Sequence, residues 1–209
     1  MTPARTDGWQ GLEIGPLLCH AGRVSLLRQL WGDAQSIARA YGLGGMSPRT
    51  AGQLILNDGY AVLVMNRARA FARQWRIPGL NRGLRLAQIA LFGIEIGKDV
   101  ELGEGVVFVH TVGTVIGGDA RLGDRVRLMG AVTIGTAKDN GYPRIGHDVT
   151  IGVGARILGP VTVGDGAMIG ANAVVLSDVP AGALAVGVPA TIRPGPPSDA
   201  GIGRKIPAF

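Results

Sequence analysis

The sequence predicts a mainly β protein, a parallel β-helix of stacked six-residue units preceded by an α-helical N-terminal region. Three observations carry this. Glycine supplies 35 of 209 residues, more than twice the usual share of ~7%. From Ile96 onward an aliphatic residue recurs every six positions, usually followed by glycine. Before residue 94 the apolar spacing is instead three and four. No Gly-X-Y period runs through the chain, so collagen is excluded. With 46% apolar and 17% charged residues, the chain is able to bury a core, which excludes a disordered polymer. The expected organisation is a helical region over 1–93, the β-helix over 94–180 and a C-terminal loop and tail over 181–209.

The helices follow from local signals. Val24, Leu27, Leu30, Trp31, Ala34, Ile37, Ala38 and Tyr41 fall on one helical face of segment 22–41. Ser47-Pro48 is an N-cap followed by a first-turn proline and opens the next helix. Helical pattern continues over 49–74, with a break at Asn57-Asp58-Gly59. Pro78-Gly79 is a turn, and 81–92 is a last helix ending near Gly93.

The repeat is then read directly. Ile96, Leu102 and Phe108 are followed by Ile116, Leu122, Leu128 and Ile134, and later by Ile145, Ile151, Ile157, Val163, Ile169 and Val175. Four residues after most of them comes a small or β-branched residue such as Val100, Val126, Ala155 or Ala173. Period six is the mark of a β-helix in which three hexapeptides form one triangular coil. The aliphatic residue points inward and the glycine takes a corner of unusual dihedrals. Thirteen aliphatic positions make about four coils, whose stacking builds one continuous core.

The rhythm slips twice. Phe108 to Ile116 is a step of eight, and His110 lies inside it. Ile134 to Ile145 is a step of eleven, whose extra residues form the loop TAKDNGYPR. Insertions in repeats sit on the surface and commonly carry function. After Pro180 the tail is rich in Gly and Pro. Its early part is expected against the last coil, and the residues after about 194 are expected to be mobile.

The net charge of +6 is concentrated in the first 90 residues. With few aromatics beside it, it reads as a solvated basic surface rather than a nucleic-acid site. The lone Cys19 excludes an internal disulfide framework and any Cys-based zinc site. No apolar run approaches the ~18 residues of a membrane helix, and the start lacks a signal-like core, so a soluble cytoplasmic protein is expected.

The helical segment, the hexapeptides and the runs VTIG, IGVGARILGPVTVGDGAMIGANAVVLSDVP and GVPA resemble the serine acetyltransferase family over roughly residues 55–193. The loop pattern is closest to its exopolysaccharide (colanic-acid type) branch. The resemblance implies a left-handed β-helix, a homotrimer and acetyl-CoA as donor in the groove between prisms. It leaves room for a higher assembly through the N-terminal helices. His110 in VHTVGTVIGG matches the family's catalytic histidine, which acts as general base on the acceptor hydroxyl. An imidazole titrating near neutrality suits that role.

Two family residues are replaced. Val109 stands where an aspartate precedes the histidine, and Tyr142 stands where a second histidine precedes Pro143. In serine acetyltransferases those groups help hold the amino-acid acceptor, so a saccharide or saccharide-linked hydroxyl is the expected acceptor, with serine or another hydroxy amino acid as the alternative. Tyr142 either contacts the acceptor or caps the loop. Asp58, Asp119, Asp139 or a backbone carbonyl orients His110. Gly135, Thr136, Val153 and Ala171 match positions along the cofactor groove, and Gly187 to Ala190, including Pro189, match the segment over its distal end. Arg156 and Arg193 are either phosphate contacts or solvated side chains.

Other classes fit less well. A zinc enzyme of the γ-carbonic-anhydrase type needs three histidines, but only His110 and His147 lie on the repeat, and His147 reads as a surface turn. No metal is therefore expected. A non-catalytic trimeric scaffold is a further alternative. A sugar nucleotidyltransferase would need a nucleotide-binding βαβ unit, which does not precede the repeat.

Overall fold

The structure is a computed structural model that describes residues 26–43, 46–138 and 141–195. Cys19, His20, Val24, Asp139 and the tail beyond residue 195 lie outside the described residues. Among the described residues four helices lead: α1 (Leu26–Ala40), α2 (Pro48–Ile55), α3 (Asp58–Gln74) and α4 (Leu80–Phe92). Ser47 caps α2, its Oγ accepting the Thr50 N–H at 3.1 Å. Asn57 caps α3 through Tyr60 N–H at 2.9 Å. Gly93, in the left-handed conformation, ends α4, since only a residue without Cβ enters that region without strain.

The prism follows as coils of three short strands. The first coil is β1 (Glu95–Ile96), β2 (Glu101–Leu102) and β3 (Val107–Phe108); the second is β4 (Val115–Ile116), β5 (Arg121–Leu122) and β6 (Arg127–Leu128). The third is β7 (Thr133–Gly135), β8 (Arg144–Ile145) and β9 (Thr150–Ile151); the fourth is β10 (Arg156–Leu158), β11 (Thr162–Val163) and β12 (Met168–Ile169). β13 (Val174–Val175) and β14 (Leu184–Val186) extend the stack, and β15 (Thr191–Arg193) returns antiparallel to β14. Strand structure thus continues past residue 180, where composition alone suggests a loop. The first face is β1-β4-β7-β10-β13, the second β2-β5-β8-β11 and the third β3-β6-β9-β12-β14-β15. In-register partners such as Ile96↔Ile116 and Ile116↔Ile134 keep each aliphatic residue over its equivalent.

All thirteen repeat positions are buried, and so are the small or β-branched residues found four positions after eleven of them. The role of glycine needs correction. The glycine after each aliphatic residue does not take the unusual dihedral. It lets coils approach: a Cβ on Gly103 would lie 2.4 Å from the Gly123 carbonyl carbon, and one on Gly123 would lie 2.6 Å from the Gly146 oxygen. The left-handed residue comes two positions later, as at Arg125 (φ 54°), Asp148 (φ 56°), Gly154 (φ 72°) and Asn172 (φ 56°). Arg125 and Asp148, stacked in adjacent coils, form an ion pair at 2.6 Å.

The helical region docks onto the first coil through a buried pair. Asp33 on α1 and Arg67 on α3 bond at 2.9 and 3.1 Å. Arg67 also donates to the Leu102 and Gly103 carbonyls at 2.7 and 2.6 Å, and Asp33 accepts the Gly105 N–H at 2.9 Å. Part of the expected apolar stripe of α1 is not core. Ala34, Ile37, Ala38 and Tyr41 are buried, whereas Leu27 and Trp31 are exposed.

Candidate active site

The edge where the third face turns into the first carries His110. This corner spans residues 109–114 in the first coil and is the wide step seen in the repeat. It is pinned on both sides: Val109 N–H donates to the Leu128 carbonyl at 2.9 Å, Ala131 N–H to Val112 at 3.2 Å and Gly113 N–H to Gly93 at 2.9 Å. His110 is exposed on this rigid corner. Beneath it lies Gly130 with φ 129°, where a Cβ would stand 2.9 Å from the His110 Cβ. Gly130 therefore sets the seat of His110. Its signal in the sequence is phase, for it falls two residues after Leu128 rather than one.

The same edge continues down the prism as a hydrogen-bonded column. Gly154 N–H donates to the Gly130 carbonyl at 3.0 Å, and Asn172 N–H to that of Val153 at 2.8 Å. Val153 and Ala171 are exposed on it, and Pro189, after a cis peptide, follows at its far end. Exposed Val112, Val153 and Val188 lie on the edge itself, with exposed Val115 just beyond it at the start of β4. Four predicted residues, His110, Val153, Ala171 and Pro189, are thus gathered on one edge. Arg156 opens β10 beside it, its Nη1 donating to Thr133 Oγ1 at 3.0 Å. Arg193 is exposed on β15, on the third face.

Gly135, Thr136 and Tyr142 sit on the opposite edge of the first face. A Cβ on Gly135 would meet its neighbours only at 3.8 Å or more, so the chain's own packing does not require glycine there. Tyr142 lays its ring over Gly117 and Gly118, where a Cβ on Gly118 would come within 2.1 Å of the ring.

Of the carboxylates considered for His110, Asp58 is at its corner. It opens α3, and the next residue, Gly59, lies so close to the Phe108 carbonyl that a Cβ there would be 2.1 Å from the oxygen. Asp119 is on a different edge, bound to Arg144 at 2.8 Å, and that hydrogen bond holds its carboxyl below the usual range. His147 occupies a plain turn: its Nδ1 accepts the Asp124 N–H at 3.0 Å and its own N–H donates to Asp165 at 2.7 Å.

Residues 142–177 match the bacterial transferase hexapeptide model of six repeats. The soybean serine acetyltransferase apoenzyme superposes with a TM-score of 0.70 at 32% identity, over 81% of this chain and 69% of that one. The chain belongs to the hexapeptide-repeat acyltransferase family. A serine acetyltransferase solved in complex with CoA gives a TM-score of 0.72 at 29% identity, over 81% of this chain and 70% of that one. These likenesses establish the prism as the left-handed β-helix of this family. In sequence, the serine acetyltransferase of Helicobacter pylori strain J99 is 46% identical over 110 residues, half of this chain and 64% of that protein. The enzyme of Synechococcus elongatus is 36% identical over 142 residues, 66% of this chain and 58% of that protein. The chain spans less than two thirds of the length of these two relatives. Both are serine acetyltransferases, so the polysaccharide branch suggested by the loop finds no support among them. No helix among the described residues is long and apolar enough to cross a membrane.

Proposed function

We propose that this chain is an acetyl-CoA-dependent O-acetyltransferase with His110 as general base. The observation that carries the reading is an exposed histidine, seated on Gly130, at the head of a narrow exposed edge in a member of this family. The His110 imidazole takes the proton of the acceptor hydroxyl as that oxygen attacks the thioester carbonyl. The carbon–sulfur bond then breaks, and the imidazolium returns its proton to the departing thiolate. The products are an acetyl ester and free CoA thiol.

The groove residues suit the donor. Gly135 is glycine without an internal packing reason, which leaves its backbone open to a partner atom. Exposed Val112, Val153 and Val188 offer apolar surface to a thin pantetheine arm or to a neighbouring prism. A homotrimer supports both: the Gly135–Tyr142 edge of one subunit would face the His110 edge of the next, joining two sets of residues that one chain holds apart. A relative solved with CoA is in line with this donor.

For the acceptor, a hydroxy amino acid such as serine is the better-supported reading, because the relatives are serine acetyltransferases. A saccharide hydroxyl is the second reading, favoured by Val109 and Tyr142 in place of acceptor-binding groups. The test is thiol release from acetyl-CoA with serine, homoserine, sugars and nucleotide sugars, each repeated with His110→Ala. Turnover with serine that His110→Ala abolishes is the expected result. Turnover only with sugars transfers the conclusion to the second reading, and full turnover by His110→Ala removes the base assignment.

A further inference from the structure

A cleft of about 550 Å³ opens between α4 and the first face, with Val115 and Gly118 among its walls. Arg82, Arg85 and Lys98 line it against a single carboxylate, Glu95. Glu95 is already committed to Arg85. Among the described residues neither Arg82 nor Lys98 makes an ion pair, and both are exposed toward solvent.

A second, independent observation lies behind the cleft wall. Arg69 is fully buried, and no carboxylate among the described residues pairs with it. Its Nε donates to Asn81 Oδ1 at 3.2 Å and its Nη1 to Gln88 Oε1 at 2.7 Å. A longer contact of 3.5 Å runs from Nη2 to the Gly97 carbonyl. Asn81 and Gly97 are themselves cleft walls. A buried cation held only by neutral acceptors lacks a counter-charge, and buried charges ordinarily have one. Burial, followed by repulsion from Arg73 and Arg85, depresses the Arg69 guanidinium to about 10.

We propose that this cleft is a binding site for a small oxyanion, a phosphate or carboxylate group, held by Arg82 and Lys98 at the rim, with the buried charge of Arg69 behind the Asn81 and Gly97 wall. Planar or tetrahedral oxyanions match the donors on offer, since guanidinium and ammonium groups supply only N–H and carry full positive charge. None of its cationic residues belongs to the His110 edge, while its lining reaches Gly117 and Gly118 beneath Tyr142.

The test is calorimetric titration of the full chain with inorganic phosphate at low and high salt. Saturable binding that weakens with salt, and falls about tenfold or more in Arg82→Gln/Lys98→Gln, is the expected result. Both side chains are exposed, so this variant keeps the fold, and circular dichroism verifies it. His110→Ala is expected to bind phosphate like the wild type. The source of the anion is then read from the double variant: a raised KM for acetyl-CoA assigns it to the cofactor's phosphates, a raised KM for the acceptor to a carboxylate, and neither to free phosphate. No saturable binding by the wild type, undiminished binding in the double variant, or loss of binding in His110→Ala overturns the proposal.

Discussion

Asp33→Ala is the sharpest test of how the helical region is fixed to the prism. The substitution removes two charged hydrogen bonds to Arg67 and the acceptor of the Gly105 N–H. Arg67 is left with only the Leu102 and Gly103 carbonyls. The Asp33 side chain is about 1% exposed and that of Arg67 about 9%, so water does not readily replace the lost partner. Breaking one side of a buried pair costs about 3–5 kcal/mol. For a chain of this size that is a fall in Tm of roughly 6–20 °C. Thermal melts followed by circular dichroism read it, and hydrogen exchange at Gly105 and along α1 shows where the loss falls. Asp33→Leu/Arg67→Met, which removes both charges, is expected to recover part of the stability while leaving the Leu102 and Gly103 carbonyls and the Gly105 N–H without partners. A Tm shift below about 2 °C for Asp33→Ala, within what a surface substitution produces, refutes the reasoning.

Three further outcomes are expected. His110→Ala lowers the rate of thiol release by about 10²–10⁴-fold with the melting curve preserved, since the side chain is exposed; steady-state thiol assays measure it. Gly152→Ala places a Cβ 2.5 Å from the Ala171 amide nitrogen of the next coil and costs about 3 kcal/mol. Gly83→Ala, on α4 with nothing within 4 Å, stabilises by about 0.5–1 kcal/mol; equal effects of the two in chemical denaturation contradict the coil-contact argument. The hydrogen bond from Arg125 holds the Asp148 carboxyl below the usual aspartate range. With the folded pKa lowered, the pair's contribution is present above pH ~3.9 and is lost as pH falls through the folded value. Asp148→Asn therefore flattens the acid limb of stability slightly, the pair being half exposed; an unchanged acid limb contradicts it.

Much of the prism is legible in the sequence because a period of six has one economical packing. Ile116, Ile134 and Ile157 announce themselves as core by spacing, and each is fully buried. Helix starts are equally local, as Ser47 and Asn57 show, since a cap bonds to an amide three residues on. His110 stands out because it interrupts the rhythm. Gly130 shows only a shifted phase, and its purpose is hidden because its contact with His110 crosses from one coil to the next. Asp33, Arg67 and Arg69 read as polar faces of helices; only the docking of α1, α3 and α4 on the first coils makes them interior.

The sequence by itself determined the repeat, its inward residues and the two places where it slips, because these depend on the order of neighbours along one chain. Tertiary structure alone decided what the glycines do and which edge holds which residue. A six-residue count does not say that Gly103 faces Gly123 across a coil, nor that Tyr142 covers Gly118. Those outcomes depend on distances between segments some twenty residues apart, and stacking is what sets them. The excess of glycine therefore serves two needs, close coil contact as at Gly103 and Gly123 and left-handed backbone as at Gly154 and Gly166.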